Sequence, residues 1–166
     1  MQAESLEHIL VSYHKDDMIA ALRVSSHFND LFELALNTEK LSARSAYMLS
    51  HMVHFTKEKV QNNIDKIIEA INGKPDGQQR DLIRTLQQLD LDEDQIGEAY
   101  HLCSELWMET LKTPSVRYLA FLFMFNVVKV YPDLKDDFHL MANHLYMESL
   151  SSGIKRSLIT KINNLK

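Results

Sequence analysis

One helix-length segment of the chain places two acids and a histidine at the spacing that metal sites in helical proteins use. Glu98 and His101 form a Glu-x-x-His pair, and Glu105 follows one helical turn later on the same face. Di-iron helical bundles use two such pairs and two further carboxylates, and the chain has no second copy of the motif. The competing interpretation is that these side chains are solvated. Glu98, His101 and Glu105 therefore carry an alternative hypothesis, a helical metalloprotein or enzyme.

Sequence motifs for hydrolytic or nucleotide chemistry are absent. The chain has no glycine-rich phosphate loop, no Gly-x-Ser-x-Gly elbow and no His-Glu-x-x-His helix. Its glycines are too scattered for a phosphate cradle: Gly73, Gly77, Gly97 and Gly153. Acids and histidines are plentiful enough for an acid–base pair to assemble in the folded chain. The sequence therefore leans away from an enzyme without excluding one, and it predicts no cofactor.

Four arginines recur at nearly constant intervals of 36, 37 and 39 residues: Arg44, Arg80, Arg117 and Arg156. A row of arginines on a curved helical surface is one way to hold nucleic acid, whose affinity comes largely from phosphate contacts. The formal net charge of −5 opposes this reading. A structural role, in which each arginine pairs with acids or carbonyls at a turn, is the competing explanation. The sequence disfavours a nucleic-acid partner and leaves the role of the arginines open.

An apolar pattern repeats in step with the arginines. Val60, Ile64, Ile67 and Ile71 mark one helix face, and shifts of 36 to 38 residues reach three similar sets. These sets are Val24, Phe28, Leu31 and Ala35, then Ile96, Tyr100, Cys103 and Trp107, and finally Leu134, Phe138, Met141 and Leu145. Repetition at this period is typical of an α-solenoid, in which each helical hairpin buries its apolar face against its neighbours.

Capping and breaking residues divide the chain into helices. Thr56 and Asp92 are predicted N-caps, and Gln95 completes a capping box with Asp92. Pro114 and Pro132 suit the start of a helix, and residues 72–77 form the one long breaker cluster. We predict nine helices, with a break near Ser25–Ser26 in the second and no strand. They span 2–13, 17–37, 41–54, 57–71, 78–89, 92–111, 114–130, 133–148 and 152–165.

Two stretches resemble a known repeat family. Val116-Arg117-Tyr118-Leu119-Ala120 is similar to the valine–arginine–x–x–alanine stretch in the second helix of HEAT repeats, and Ala43-Arg44-Ser45-Ala46-Tyr47 is similar to it more weakly. The resemblance covers residues 17–165 as four hairpins after one extra helix. It implies an all-α fold, a right-handed α-α superhelix of about four HEAT-like helical hairpins plus one N-terminal helix.

Length and composition predict one domain over residues 1–166. A chain of 166 residues that is 45% hydrophobic can bury a proper core. Its longest apolar run, 119–125, is far shorter than the ~20 residues of a membrane span, and the first ten residues lack the basic start of a signal peptide. Cys103 lies on the apolar face and is expected to be a buried thiol. We therefore expect a cytoplasmic protein without a membrane partner.

The leading functional hypothesis is a non-catalytic interaction module, an adaptor or scaffold. Successive second helices of a short solenoid line a concave groove that suits a peptide or helix of a partner protein. The residues expected there lie on the predicted helices 41–54, 78–89 and 114–130. They are Tyr47, Met48, His51, Arg84 and Lys129. The sequence does not indicate the partner or the oligomeric state.

Overall fold

The structure, a computed structural model, describes residues 4–165, and this part of the chain is all-α. It contains ten α-helices and two 3-10 turns, with no strand among the described residues. The all-α prediction is confirmed. The helices are α1 (Leu6–Ser12), α2 (Lys15–Val24), α3 (Phe28–Leu36), α4 (Ser42–Gln61), α5 (Ile64–Ile71), α6 (Asp76–Leu86), α7 (Glu93–Met108), α8 (Pro114–Val130), α9 (Lys135–Met141) and α10 (Ser152–Asn163); the 3-10 turns span Pro132–Leu134 and His144–Met147.

The helix boundaries follow the local sequence at several points. Asp92 accepts a hydrogen bond from the Gln95 backbone N–H at 2.9 Å, and the Gln95 side chain accepts one from the Asp92 N–H at 3.1 Å, so the predicted capping box is confirmed. Gly73 ends α5 with a φ of +72°, a backbone conformation that a side chain at Cβ would disfavour. Pro114 opens α8, where its missing N–H leaves no helical bond unmade.

Of three further predicted boundaries, one agrees with the structure and two do not. The second predicted helix breaks as expected near Ser25, into α2 and α3. Thr56 does not cap a helix: its hydroxyl donates to the carbonyl of Met52 at 3.0 Å, and α4 continues through a kink there to Gln61. The predicted helix 133–148 is three short pieces. Residues 2 and 3 of the first predicted helix lie outside the described residues.

Two compact units divide the chain between Leu91 and Asp92. We call the residues up to Leu91 unit 1 and those from Asp92 unit 2. The prediction of one domain over 1–166 stays a prediction. In the part of the chain that the structure describes, no helix combines the length and the apolar run that a membrane crossing requires.

Unit 1 is built around α4, which packs against α2, α3 and α6. One apolar cluster joins α1, α2, α3 and α4 through fully buried side chains. Val24 was expected on this apolar face, and the structure contradicts that: it is 89% exposed at the end of α2, where the chain leaves the helix. The cluster fixes the positions of α2 and α4. Its buried members are Ile9, Leu10, Met18, Leu22, Leu31, Met48 and Met52.

Unit 2 packs α7 against α8, with α9 closing one side of the pair. Its centre is aromatic: the ring centroids of Trp107 and Phe121 lie 5.0 Å apart, and those of Phe121 and Phe138 lie 5.2 Å apart. Cys103 is buried beside this core, as expected, and burial raises the pKa of its thiol far above the usual range. Leu145 was expected to be buried and is 60% exposed, because the helix predicted there is a short 3-10 turn.

Candidate functional site

The described helices of unit 1 form an open cleft where α2, α4 and α6 begin. The cleft has a volume of about 420 Å³, and we call it the α4 cleft. On α4, Arg44 and Tyr47 lie one turn apart on its edge, and His51 follows one turn later, with its ring centroid 4.5 Å from that of Tyr47. The residues that line the cleft are His14, Lys15, Met18, Ala43, Arg44, Tyr47, Gly77, Arg80 and Asp81.

A buried carboxylate organises the α6 side of the cleft. Asp81 has a side chain only 2% exposed, and Arg80 clamps it with two hydrogen bonds, from Nε at 3.0 Å and from Nη2 at 2.8 Å. Arg84 donates a third bond, from Nη1 to the same carboxylate. The hydrogen bond to Asp81 raises the pKa of Arg80 further above its usual value. Two guanidinium groups share one carboxylate, so Asp81 by itself does not balance both positive charges.

The other two cations that line the cleft, Lys15 and Arg44, have weaker ion-pair and hydrogen-bond partners than Arg80. Lys15 lies 3.7 Å from Asp16, whose carboxylate is 91% exposed, and ion pairs of this kind contribute little. Arg44 is exposed, and its Nη2 donates to the backbone carbonyl of Tyr13 at 3.1 Å. A guanidinium carries several further N–H donors. Lys15 and Arg44 therefore retain donors that a ligand in the cleft can meet.

The pKa of His51 reflects the partial burial of its ring and the charges around the cleft. Its pKa lies below the usual value, first because the ring is partly desolvated and then because Lys15 and Arg84 repel a second positive charge. Asp81 and Asp16 act in the opposite direction and do not reverse the shift. The cations therefore outweigh the acids in their effect on the pKa of His51.

Three of the five predicted partner-contacting residues lie together. Tyr47 and His51 lie on α4, and Arg84 reaches the Asp81 carboxylate from α6. Met48 is a correction: it is fully buried in the apolar cluster of unit 1, because its position on α4 faces inward, and it offers no surface to a partner. Lys129 is exposed at the end of α8 in unit 2, with Nζ 5.8 Å from the centre of the Phe125 ring.

Sequence reasoning missed part of the cleft. Arg44 and Arg80 were visible as repeat arginines, but nothing in the spacing distinguished a cleft arginine from a buried one. Asp81 had a signal: it follows Arg80 directly and precedes Arg84 by three positions, which is close enough for both to reach it on a helix. No sequence signal placed Lys15 in the cleft, because its position depends on how α2 packs on α4.

The alternative metal residues lie on α7. His101 Nε2 is 3.6 Å from Glu105 Oε1, and both side chains are exposed, at 77% and 61%. Glu98 is also exposed. Over residues 4–165, no three histidine, cysteine, aspartate or glutamate side chains come together in a way that would hold a metal ion.

The repeat arginine of unit 2 has a structural environment. Arg117 is fully buried, and its guanidinium donates to the carbonyl of Trp107 at 3.0 Å, to Ser149 Oγ at 2.7 Å and to the carbonyl of Tyr146. It also lies over the Trp107 ring at 4.9 Å. Arg156, the last of the four, is exposed on α10. The repeat position therefore serves the core at Arg117 and lines the cleft at Arg44 and Arg80, whereas at Arg156 it lies on the surface.

The described residues form an all-α fold in which arginines recur at nearly constant intervals. These two features are typical of helical repeat proteins. A family model described as HEAT repeat domain matches residues 4–164, and the chain belongs to this family. The resemblance predicted from residues 43–47 and 116–120 is thereby confirmed. No curated protein and no solved structure matches the chain.

Proposed function

We propose that the chain is a protein-interaction module, an adaptor or scaffold, that binds a peptide or helix of a partner protein in the α4 cleft. The observation that carries this proposal is the cleft itself, an open concavity of about 420 Å³ lined by an aromatic side chain and several cations. Helical repeat proteins commonly use such surfaces for partners, so membership of the HEAT repeat family supports the same function.

The cleft suits binding because its side chains are already oriented. The shared bonds to Asp81 fix Arg80 and Arg84, so less side-chain entropy is lost when a partner meets them. Tyr47 offers an apolar ring and a polar hydroxyl, a combination that is enriched at the energetic centres of interfaces. Met18 is buried beneath the cleft and gives it an apolar floor. Binding would therefore require little rearrangement of unit 1.

The proposal has two further parts. Lys129 is a separate contact point on unit 2, supported by its exposed charge beside the Phe125 ring. The cytoplasm is the proposed compartment, supported by Cys103, a buried cysteine with a free thiol.

The test is affinity capture with the tagged full chain, compared with charge-reversed variants by quantitative mass spectrometry. Arg84→Glu and Lys129→Glu probe the proposed contacts, and Arg156→Glu is the matched control, an exposed repeat arginine on α10. Circular dichroism first establishes that each variant is folded. We expect a defined set of proteins whose recovery falls about tenfold with Arg84→Glu, the equivalent of ~1.4 kcal/mol, and is unchanged with Arg156→Glu.

Two results would contradict the proposal. Equal recovery of every captured protein by wild type and all variants would remove Arg84 and Lys129 from the binding surface. Loss of all captured material after nuclease treatment would favour nucleic acid as the partner.

A further inference from the structure

The charges that line the α4 cleft are unbalanced. Lys15, Arg44 and Arg80 carry positive charge and Asp81 carries the one negative charge of the lining. Unit 1 thus concentrates cations in one concavity although the chain as a whole has a formal net charge of −5. A local excess of this kind attracts an anionic group and increases the rate at which it associates.

Two of these cations have no strong partner within residues 4–165. Arg80 is committed to Asp81, whereas Lys15 has only the exposed Asp16 at 3.7 Å. Arg44 is held by one bond to a neutral backbone carbonyl, which positions the guanidinium without neutralising it. The unneutralised charge of the cleft is therefore that of Lys15 and Arg44.

Next to these cations the lining is apolar and aromatic. Met18 is buried, and Ala43 and the Tyr47 ring complete the wall beside Arg44. The volume of about 420 Å³ lies within the ~300–1,000 Å³ typical of ligand sites. The cleft thus pairs cationic donors with room for an apolar side chain.

We propose that the partner segment bound in the α4 cleft is an acidic peptide. Its carboxylates bind Arg44 and Lys15, and an apolar side chain next to them packs on Tyr47 and Met18. A guanidinium binds a carboxylate through two parallel hydrogen bonds, which gives Arg44 the larger share of the recognition. This inference rests on the proposed function and adds the chemistry of the partner.

The same charges fit a peptide better than a nucleic acid. Specific nucleic-acid binding commonly uses about six to ten phosphate contacts, and the unneutralised cations here are two. The carboxylates of Asp81 and Asp16 also flank them. A second copy of the chain is the other competing occupant, because residues 90–98 contain five acids and no base. The test separates these occupants.

The experiment selects a displayed library of random short peptides on the full chain, in parallel with Arg44→Glu and with the control Arg156→Glu. We expect peptides that combine Asp or Glu with an apolar residue to be enriched on wild type and Arg156→Glu. Their affinity for Arg44→Glu should be lower by about tenfold or more. Lys15→Glu gives an independent variant, since Lys15 is exposed and pairs only at the surface.

A spectroscopic readout locates the bound peptide. Partial burial of the ring lowers the pKa of His51, and Lys15 and Arg84 lower it further, so a carboxylate bound beside these cations should raise that pKa in an NMR titration of the ring. The same peptide with Gln and Asn in place of Glu and Asp should bind about tenfold more weakly and leave the pKa of His51 unchanged.

The outcomes distinguish the inference from the proposed function. Selected peptides that are neutral or basic but still lose affinity for Arg44→Glu would overturn the acidic partner and leave the cleft as the binding site. Peptides that bind Arg44→Glu as well as wild type would overturn the cleft itself. A selection that enriches nothing on wild type would overturn both.

Two companion measurements cover the competing occupants. Tighter binding of a short single-stranded DNA or RNA than of the selected peptides, with affinity falling steeply between about 50 and 200 mM salt, would overturn the peptide in favour of nucleic acid. Light scattering that reveals a dimer of the wild type, dissociated by Arg44→Glu and by the selected peptide, would assign the cleft to a second copy.

Discussion

Arg80 in unit 1 and Arg117 in unit 2 stand 37 residues apart in the repeat, and they lie in opposite environments. Arg80 keeps a side chain that is 31% exposed and binds the carboxylate of Asp81. Arg117 is fully buried, and its hydrogen bonds reach neutral acceptors, among them the carbonyl of Trp107. Burial lowers the pKa of Arg117, but a guanidinium stays charged in proteins.

A repeat position therefore determines where a residue lies on its helix, and the side chains packed around that residue determine its role. In unit 2 the helix pair closes around Arg117, which ties the end of α7 to the segment after α9 through Trp107 and Tyr146. In unit 1 the same position opens onto a cleft. One arginine stabilises a core, and the other contributes charge to a surface.

Removal of Arg117 should have the largest effect. Arg117→Leu leaves buried acceptors without donors, and we expect unit 2 to lose about 2–4 kcal/mol of stability. Urea unfolding followed by the fluorescence of Trp107, the single tryptophan, reports on this unit. Arg156→Leu is the matched control and should change stability by less than about 0.5 kcal/mol. A cost below about 1 kcal/mol for Arg117→Leu would mean that Arg117 is not structural.

Neutralising Asp81 should have an intermediate effect. Asp81→Asn leaves Arg80 and Arg84 without a counter-ion, and because both are about one-third exposed we expect a loss of about 1–3 kcal/mol. Urea unfolding followed by circular dichroism measures it. Asp16→Asn changes the same group at 91% exposure and should lie within about 0.5 kcal/mol of wild type. Equal effects of the two variants would refute the clamp.

Substitution of Arg44 should lower the affinity for the partner segment without lowering the stability of the fold. Arg44→Ala removes one bond to the Tyr13 carbonyl at an exposed position, so we expect a stability change within about 0.5 kcal/mol. Affinity for the partner segment should nevertheless fall about tenfold, measured by calorimetry. A large loss of stability with no loss of affinity would place Arg44 with Arg117 as a structural residue.

His51 should give the smallest effect, a change in pH dependence. Its pKa is lowered in the folded chain, so below about pH 6.5 the unfolded chain binds the proton more readily and stability falls as the pH drops towards the folded-state pKa. His51→Gln should remove this part of the pH dependence of urea unfolding. Arg84→Gln should raise the pKa of His51 in an NMR titration, and an unchanged value would show that Arg84 does not act on it.

Much of the fold was predictable from local chemistry. The capping box at Asp92 and the start of α8 at Pro114 were read correctly because those residues satisfy helix ends by themselves. The prediction of an N-cap at Thr56 was wrong. A threonine hydroxyl can instead donate to a carbonyl one turn back, which kinks a helix without ending it. The prediction of one helix over 133–148 was wrong because the spacing of apolar residues cannot distinguish one helix from several short helical turns.

The candidate site was predictable only in part. Tyr47, His51 and Arg84 follow from helical spacing on predicted second helices. Met48 shares the helix with Tyr47 and lies in the core, since the direction of the face is set by the packing of α1 and α2. Lys15 and the cleft as a whole depend on contacts between segments distant in sequence, which no local pattern encodes.

The most direct test of a binding cleft in unit 1 is chemical-shift mapping. An isotope-labelled full chain is titrated with the strongest peptide from the display selection, and perturbed residues are placed on the structure. We predict that the perturbations concentrate on the starts of α2, α4 and α6, at Lys15, Arg44, Tyr47 and Arg80, and that Arg44→Glu abolishes them. Perturbations confined to unit 2, or unchanged in Arg44→Glu, would contradict the account.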